Sequence, residues 1–268
     1  MEMYLTGKRA LVTGSSSGIG RAIAERLAAE GVEVAVHGRD ATRSETVAAA
    51  IRALGGRATV LLGDLTTDEG MAAVIDGVHG WGGVDILVNN IGGPVSMANT
   101  SWFGDSPADW MQSFQQNTTA AVSLIHALVP QMKERGWGRV IQISSRNAIS
   151  PHADLGSYGA AKAALNNLTL SLSKALAGTG VTSNGVMPGL IYTPQLDGWF
   201  AEMAQKQGAG ADIEAGKQFV LNNVVRQTVN RLGQPQDIAG LVCYLASPLS
   251  DFMTGTTIRI DGGSTPTV

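Results

Sequence analysis

Residues 9–31 read RALVTGSSSGIGRAIAERLAAEG. A short apolar run, RALVT, turns through glycine and serine and continues as GIGRAIAERLAAE, which Gly31 stops. A strand that leads through a tight turn into a helix is the first half of a βαβ unit. Gly14, Gly18 and Gly20 lie in the turn, spaced GxxxGxG where GxGxxG is the more widespread form. Glycines there let the backbone approach a pyrophosphate, whose charge rests on the helix N-terminus. A glycine-rich turn can also be mere turn chemistry, but its place after a first strand favours dinucleotide binding.

The same alternation runs through the whole chain. VEVAVH, RATVLLGD, VDILVNN, GRVIQISS, VTSNGVMPG and TTIRIDGG are further apolar runs, with helical stretches between them. Continuous Val/Ile/Leu runs mark strands buried on both faces, hence a parallel sheet between two helix layers. The expected fold is α/β: one Rossmann-type doubly wound domain over 1–268, with a mostly parallel seven-stranded sheet. A long helix is expected with Ser106 as N-cap, Pro107 in its first turn and Gly136 at its end. Residues 193–230 break the rhythm. They carry Trp199, Phe200, Met203 and Phe219 around a glycine-rich centre, QGAGAD, and predict a lid of short helices with a flexible joint.

Composition narrows the function. Of 268 residues, 44% are hydrophobic and 15% charged, enough for a large core and too apolar for disorder. The net charge of −3 and the lack of a basic run give nucleic acid or anionic membranes no electrostatic footing. The single Cys243 has no internal disulfide partner and sits in apolar LVCYLA, as a buried thiol would. No apolar run reaches the ~18 residues of a membrane span. MEMYLTGKRALVTG lacks the layout of a secretion signal. A soluble cytoplasmic protein with a small-molecule partner and no metal is expected.

Chemistry concentrates in SYGAAKAAL, where Tyr158 and Lys162 are one helical turn apart, thirteen residues after Ser145. A phenol with a pKa near ~10 moves protons poorly at neutral pH, and an ammonium beside it favours the phenolate. The bland alternative is a surface helix on which the two residues merely coincide. At the end of the second strand, VAVHGRD places Gly38 and Arg39 where a carboxylate would bind the ribose hydroxyls of NAD(H). Glycine removes that carboxylate and a guanidinium can pair with a 2′-phosphate, so NADP(H) is favoured, with NAD(H) the alternative. Asp40 is expected to cap the next helix.

In this order the motifs resemble the short-chain dehydrogenase/reductase family over nearly the whole chain, most nearly its 3-oxoacyl reductases. TGSSSGIG resembles the family's cofactor turn, LLGDLT its adenine-contacting segment, NNIGG its NNAG (with Ile91 for Ala) and MPGLIYTP its PGxIxT. The resemblance implies cofactor contacts from Gly14, Ser16, Ser17, Gly18, Ile19, Gly20, Arg39, Asp64, Leu65, Asn90, Gly92, Tyr158, Lys162, Pro188, Gly189, Ile191 and Thr193. It also implies a catalytic tetrad of Asn117, Ser145, Tyr158 and Lys162. Tyr158 would protonate the carbonyl oxygen, and Lys162 would hold the nicotinamide ribose and lower the phenol pKa. Ser145 would polarise the carbonyl, and Asn117 would hold a water leading from Lys162 to solvent. Ser144 is the rival serine; Ser145 has the family's usual interval to Tyr158. Arg146, His152, Trp199 and Phe200 are the candidate substrate contacts, with Trp102 and Phe103 across an apolar cleft.

The expected activity is hydride transfer between NADPH and a ketone or secondary alcohol, of the 3-oxoacyl or another carbonyl-reductase type. The alternatives are an NAD-dependent alcohol or sugar dehydrogenase and a non-catalytic nucleotide-binding scaffold. The family resemblance further implies a homotetramer.

Overall fold

The computed structural model describes residues 2–95 and 102–266. Among them seven parallel strands run β1 (Arg9–Val12), β2 (Glu33–Gly38), β3 (Arg57–Leu62), β4 (Ile86–Asn89), β5 (Gly138–Ile143), β6 (Val181–Pro188) and β7 (Thr257–Ile260). Their order across the sheet is β3-β2-β1-β4-β5-β6-β7, and every pair is parallel, not merely most. The chain winds outward one way from β1 and the other way from β4. The crevice therefore opens at the carboxyl ends of these two neighbouring strands, the usual ligand position in such sheets.

Alternation within each strand divides the core in two. Ala10, Val12, Ile86, Val88, Ile141 and Ile143 face α1 (Gly18–Ala29), α2 (Ala41–Ala53) and α9 (Pro235–Ala246). Leu11, Ala35, Leu87 and Val140 face α3 (Asp68–Gly80) and α5 (Ala120–Glu134). This is why the strands read as unbroken apolar runs: successive residues serve opposite cores. Asp40 caps α2 by accepting from the Arg43 amide. Ser106 caps α4 (Pro107–Phe114) in a reciprocal capping box with Asp109.

The expected single long helix differs in one respect. Between α4 and α5 the chain winds as a π-helical segment, Gln115–Thr119, that contains Asn117. Such a widened turn places an extra residue in the helix, and it occurs often at functional sites.

Residues 193–230 fold as a 3₁₀ turn (Pro194–Leu196), α7 (Asp197–Lys206), α8 (Ile213–Phe219) and a second π-helical segment (Val220–Val225). Gly208 and Gly210, both at positive φ, make the joint between α7 and α8. Phe200 is fully buried here with Val220, Leu221, Val225 and Leu232, in a small core separate from those of the sheet. Phe200→Ala should leave a cavity in that core, costing about 3–5 kcal/mol locally. Hydrogen exchange should speed up in α7 and α8 while amides of β1, β4 and β5 keep their protection.

Candidate active site

The turn after β1 is held by residues that its glycines do not advertise. Thr13 Oγ1 accepts from the amides of Asn90 (2.9 Å) and Ile91 (3.0 Å), tying the end of β1 to the end of β4. Asn90 Nδ2 donates to the Thr13 carbonyl at 2.8 Å and lies 3.3 Å from that of Gly14. A Cβ on Gly20 would stand 2.4 Å from the Gly14 oxygen, so only glycine lets α1 begin this close to the strand. Ser17, the N-cap of α1, makes no side-chain cap bond. The first-turn amides of α1 are thus the polar face this turn offers to an anion.

His37, on β2, braces the glycine turn, though the sequence patterns do not single it out. Its Nδ1 accepts from the Gly14 amide at 3.0 Å, so its proton resides on Nε2, which donates to the Gly63 carbonyl at 3.1 Å. The ring is fully buried, and burial lowers its pKa to about 4. A neutral, tautomer-fixed histidine therefore orients the first residue of the glycine turn.

At the adenosine side, Arg39 Nη1 meets Asp64 Oδ2 at 3.1 Å, and its side chain is 72% exposed. Asp64 also accepts from the Thr66 amide and hydroxyl, which hold its carboxyl below the usual range ahead of the smaller effect of Arg39. Arg43, in the first turn of α2, is paired with Asp40 at 3.2 Å and adds a nearby second cation. Leu65 is buried in the core, which leaves only its backbone for a ligand.

A cavity of about 580 Å³ runs from this turn to Thr193, Leu196 and Trp199. Gly14, Ser17, Gly18, Ile19 and Gly20 line one end, and Ser145, Tyr158 and Lys162 the other. Asn90, Gly92, Pro188, Gly189, Ile191 and Thr193 line it between. Ser16, Arg39, Asp64, Leu65 and Asn117 lie outside its lining. Thr193 faces the glycine turn, its Cγ2 3.4 Å from where a Gly18 Cβ would be.

Tyr158 and Lys162 lie on α6 (Gly156–Ala175), with the ammonium 5.8 Å from the phenol ring centre. Lys162 is 2% exposed and donates to the Ile143 carbonyl at 2.8 Å. Burial lowers its pKa to about 8. Ser145 Oγ accepts from the Asn147 amide at 3.2 Å and shares the cavity wall with the Tyr158 phenol. Ser144 instead directs its hydroxyl to the Lys162 carbonyl at 3.3 Å, where it holds α6 to β5. Asn117 clamps the peptide of Gly93 from both sides, accepting from its amide at 2.9 Å and donating to its carbonyl at 3.0 Å. A Cβ on Gly92 would stand 2.5 Å from Asn117 Oδ1 and 2.8 Å from Lys162 Nζ. Three of the four residues expected to form the tetrad thus line one cavity, with Asn117 behind them.

One expectation is reversed here. Burial pushes the Tyr158 phenol above its usual value, against the smaller downward pull of the nearby Ser145 hydroxyl. Desolvation of the phenolate outweighs any lowering by the nearby ammonium.

The substrate end is divided as well. Arg146, His152 and Trp199 line a smaller cavity of about 220 Å³ that shares Ser145, Leu155 and Trp199 with the larger one. Phe200 lines neither, because it is buried in the separate core with Val220, Leu221, Val225 and Leu232. Trp102 and Phe103 are 53% and 92% exposed, and Trp102 stacks edge-on against Trp110 instead of walling a cleft.

Comparison with known proteins agrees with this geometry. Residues 8–204 match the short chain dehydrogenase family model. An uncharacterized oxidoreductase of Bacillus subtilis, YvaG, is 35% identical over 98% of both chains. The crystal structure of L-sorbose reductase from Gluconobacter frateurii, complexed with NADPH and L-sorbose, superposes with a TM-score of 0.93 at 32% identity, covering all of both chains. A 3-oxoacyl (acyl-carrier-protein) reductase of Agrobacterium tumefaciens with NADP bound gives 0.86 at 34% identity, over 98% of this chain and 96% of that one. The chain belongs to the short chain dehydrogenase family, whose members here are oxidoreductases.

The depressed pKa of His37 makes stability pH-dependent. The unfolded chain, with a histidine pKa near ~6.5, binds this proton more readily than the fold does. The contribution is complete above about pH 6.5 and lost as the pH falls through about 4, worth up to ~3 kcal/mol. Urea unfolding from pH 4.5 to 7.5 should show that slope, and His37→Gln should flatten it.

Proposed function

We propose that this protein is an NADPH-dependent reductase of ketones to secondary alcohols, of the 3-oxoacyl or a related carbonyl type. The observation that carries the reading is that Ser145, Tyr158 and Lys162 line the same cavity as the glycine turn.

The residues present fit a nicotinamide dinucleotide. Gly14 and Gly18 hold positive φ, Gly20 admits no Cβ, and the α1 N-terminus has no side-chain cap competing for its amides. Gly14, Gly18 and Gly20 with Ser17 and Ile19 would hold the pyrophosphate. Thr193, Ile191 and Asn90 would flank the nicotinamide half, and Lys162 would bond its ribose. Arg39 and Asp64 would frame the adenosine, with Arg39 exchanging its carboxylate partner for a 2′-phosphate. When bound, the cofactor supplies or accepts the hydride at the substrate carbon.

The rest of the chemistry belongs to the chain. Ser145 donates to the carbonyl oxygen and fixes it beside Tyr158. The Tyr158 Oη–H bond breaks as the proton passes to that oxygen, leaving a phenolate next to the Lys162 ammonium. Asn117, through the Gly93 peptide, fixes the loop beside Lys162 along which the proton would be replaced. Residues 193–230 would act as the lid. The exposed faces of α5 and α6 would pair between subunits of a cytoplasmic homotetramer.

Three measurements test the reading. Tyr158→Phe should cut kcat at least 10³-fold while leaving NADPH affinity within a few-fold. Survival of most of the activity would remove Tyr158 from its role. With the phenol pKa raised, reduction should stay level through neutral pH and fall only in alkali, whereas oxidation of the alcohol should climb over the same range. Arg39→Ala should raise the KM for NADPH at least about tenfold, the scale of a charge-assisted hydrogen bond, and leave that for NADH nearly unchanged. An enzyme that already prefers NADH would point to the NAD-dependent alcohol or sugar dehydrogenase instead.

A further inference from the structure

Most arginines of this chain are engaged by carboxylates, as Arg21 is by Glu25, Arg52 by Glu45 and Arg231 by Asp237. Arg146 is different. It follows Ser145 directly and opens the 3₁₀ turn Arg146–Ala148. It is half-buried, yet its guanidinium makes no hydrogen bond or ion pair among the described residues. The charge it feels is that of Asp261, through space and too weakly to offset its desolvation. A guanidinium carries five donors, and leaving them half-desolvated without acceptors is costly.

The cavity that Arg146 lines adjoins the catalytic hydroxyl. Ser145 belongs to both cavities, and Trp199 and Val225 of the lid segment close the far side of the smaller one. His152 also lines it. The His152 Nδ1 accepts from the Asp154 amide at 3.3 Å, so in the neutral ring Nε2 carries the proton and is a donor. One carboxylate opposes these donors. Asp154 lines the same cavity, but its side chain is 42% exposed and lies 3.5 Å from His152 Nδ1.

We propose that the substrate carries an oxyanion, a carboxylate or a phosphate ester, beyond its reacting carbonyl, and that Arg146 binds it with His152 as a second donor. The inference rests on the carbonyl-reductase reading and narrows its substrate class. A planar fork beside an apolar wall suits either anion, since both accept two parallel hydrogen bonds. With the anion on Arg146 and the carbonyl at Ser145 and Tyr158, the substrate is held at two points. The anion then fixes which carbonyl of a polyfunctional molecule meets the phenol.

The test uses straight-chain oxo acids with the carbonyl two to five carbons from the carboxylate, each beside its methyl ester. Dihydroxyacetone phosphate beside dihydroxyacetone tests the phosphate source. In the wild type, at least one charged member should exceed its neutral partner in kcat/KM by about 10–100-fold, the scale of a lost charged hydrogen bond. Arg146→Met should erase that margin, chiefly by raising the KM of the charged member. Asp154→Asn should leave the charged member's KM equal or lower. Equal effects of Arg146→Met on charged and neutral partners would overturn the proposal and make Arg146 a structural counter-charge to Asp261. Neutral partners preferred throughout would overturn it too. Calorimetric titration of the same oxo acids into the protein with NADPH separates the two readings. Arg146-dependent binding without turnover of any ketone would sink the reductase reading and leave the anion site standing. Binding that ignores Arg146 would remove the anion site alone.

Discussion

A single ammonium, that of Lys162, sets the terms for everything around it. It is 2% exposed and donates to one backbone carbonyl, that of Ile143. The shift of its pKa to about 8 corresponds to roughly 3 kcal/mol of unfavourable burial at neutral pH. Elements from across the sheet are shaped to accommodate it. β5 ends so that the Ile143 carbonyl is available. Gly92 has no side chain where a Cβ would strike both Nζ and Asn117 Oδ1. The π-helical turn sets Asn117 against the Gly93 peptide and so fixes that loop. A desolvated charge of this kind is poor for stability and useful where charge must develop next to it.

The two partners on α6 are tuned in opposite directions by one cause. Burial disfavours the charged form of each, lowering the ammonium pKa and raising that of the phenol. Lys162 consequently does less to activate Tyr158 at rest than the four-residue spacing alone suggests. In the proposed reaction its electrostatic effect would count once the phenol had given up its proton and a phenolate stood beside it. The pair would then serve the state after proton transfer more than the state before it.

Much of this was legible in the chain itself, for physical reasons. Strand positions follow from apolar runs that must serve two cores, and the turn from glycines that admit no Cβ. The caps at Asp40 and Ser106 follow from side chains able to satisfy free amides. Residues whose work depends on long-range placement were not legible. His37 sits inside VEVAVH like any strand residue, and only the fold brings Gly14 and Gly63 to its two nitrogens. Thr13 is similar, its hydroxyl joining strands more than seventy residues apart. Phe200 and Trp199 are sequence neighbours on one helix, yet one fills the lid's core and the other faces the cavities. Helical phase relative to an unseen partner decides between them. The π-helical turn leaves no periodic signature, because one widened turn scarcely disturbs a 3.6-residue pattern.

The separate core of residues 193–232 makes this segment mechanically distinct from the sheet. Phe200, Val220, Leu221, Val225 and Leu232 pack chiefly on one another, so this segment draws little of its cohesion from the sheet. Substitutions in that core would be felt first within the segment and only then in the sheet. Its edge is different: Thr193, Leu196 and Trp199 share a cavity wall with the glycine turn, so a shift of the whole segment would reshape that cavity.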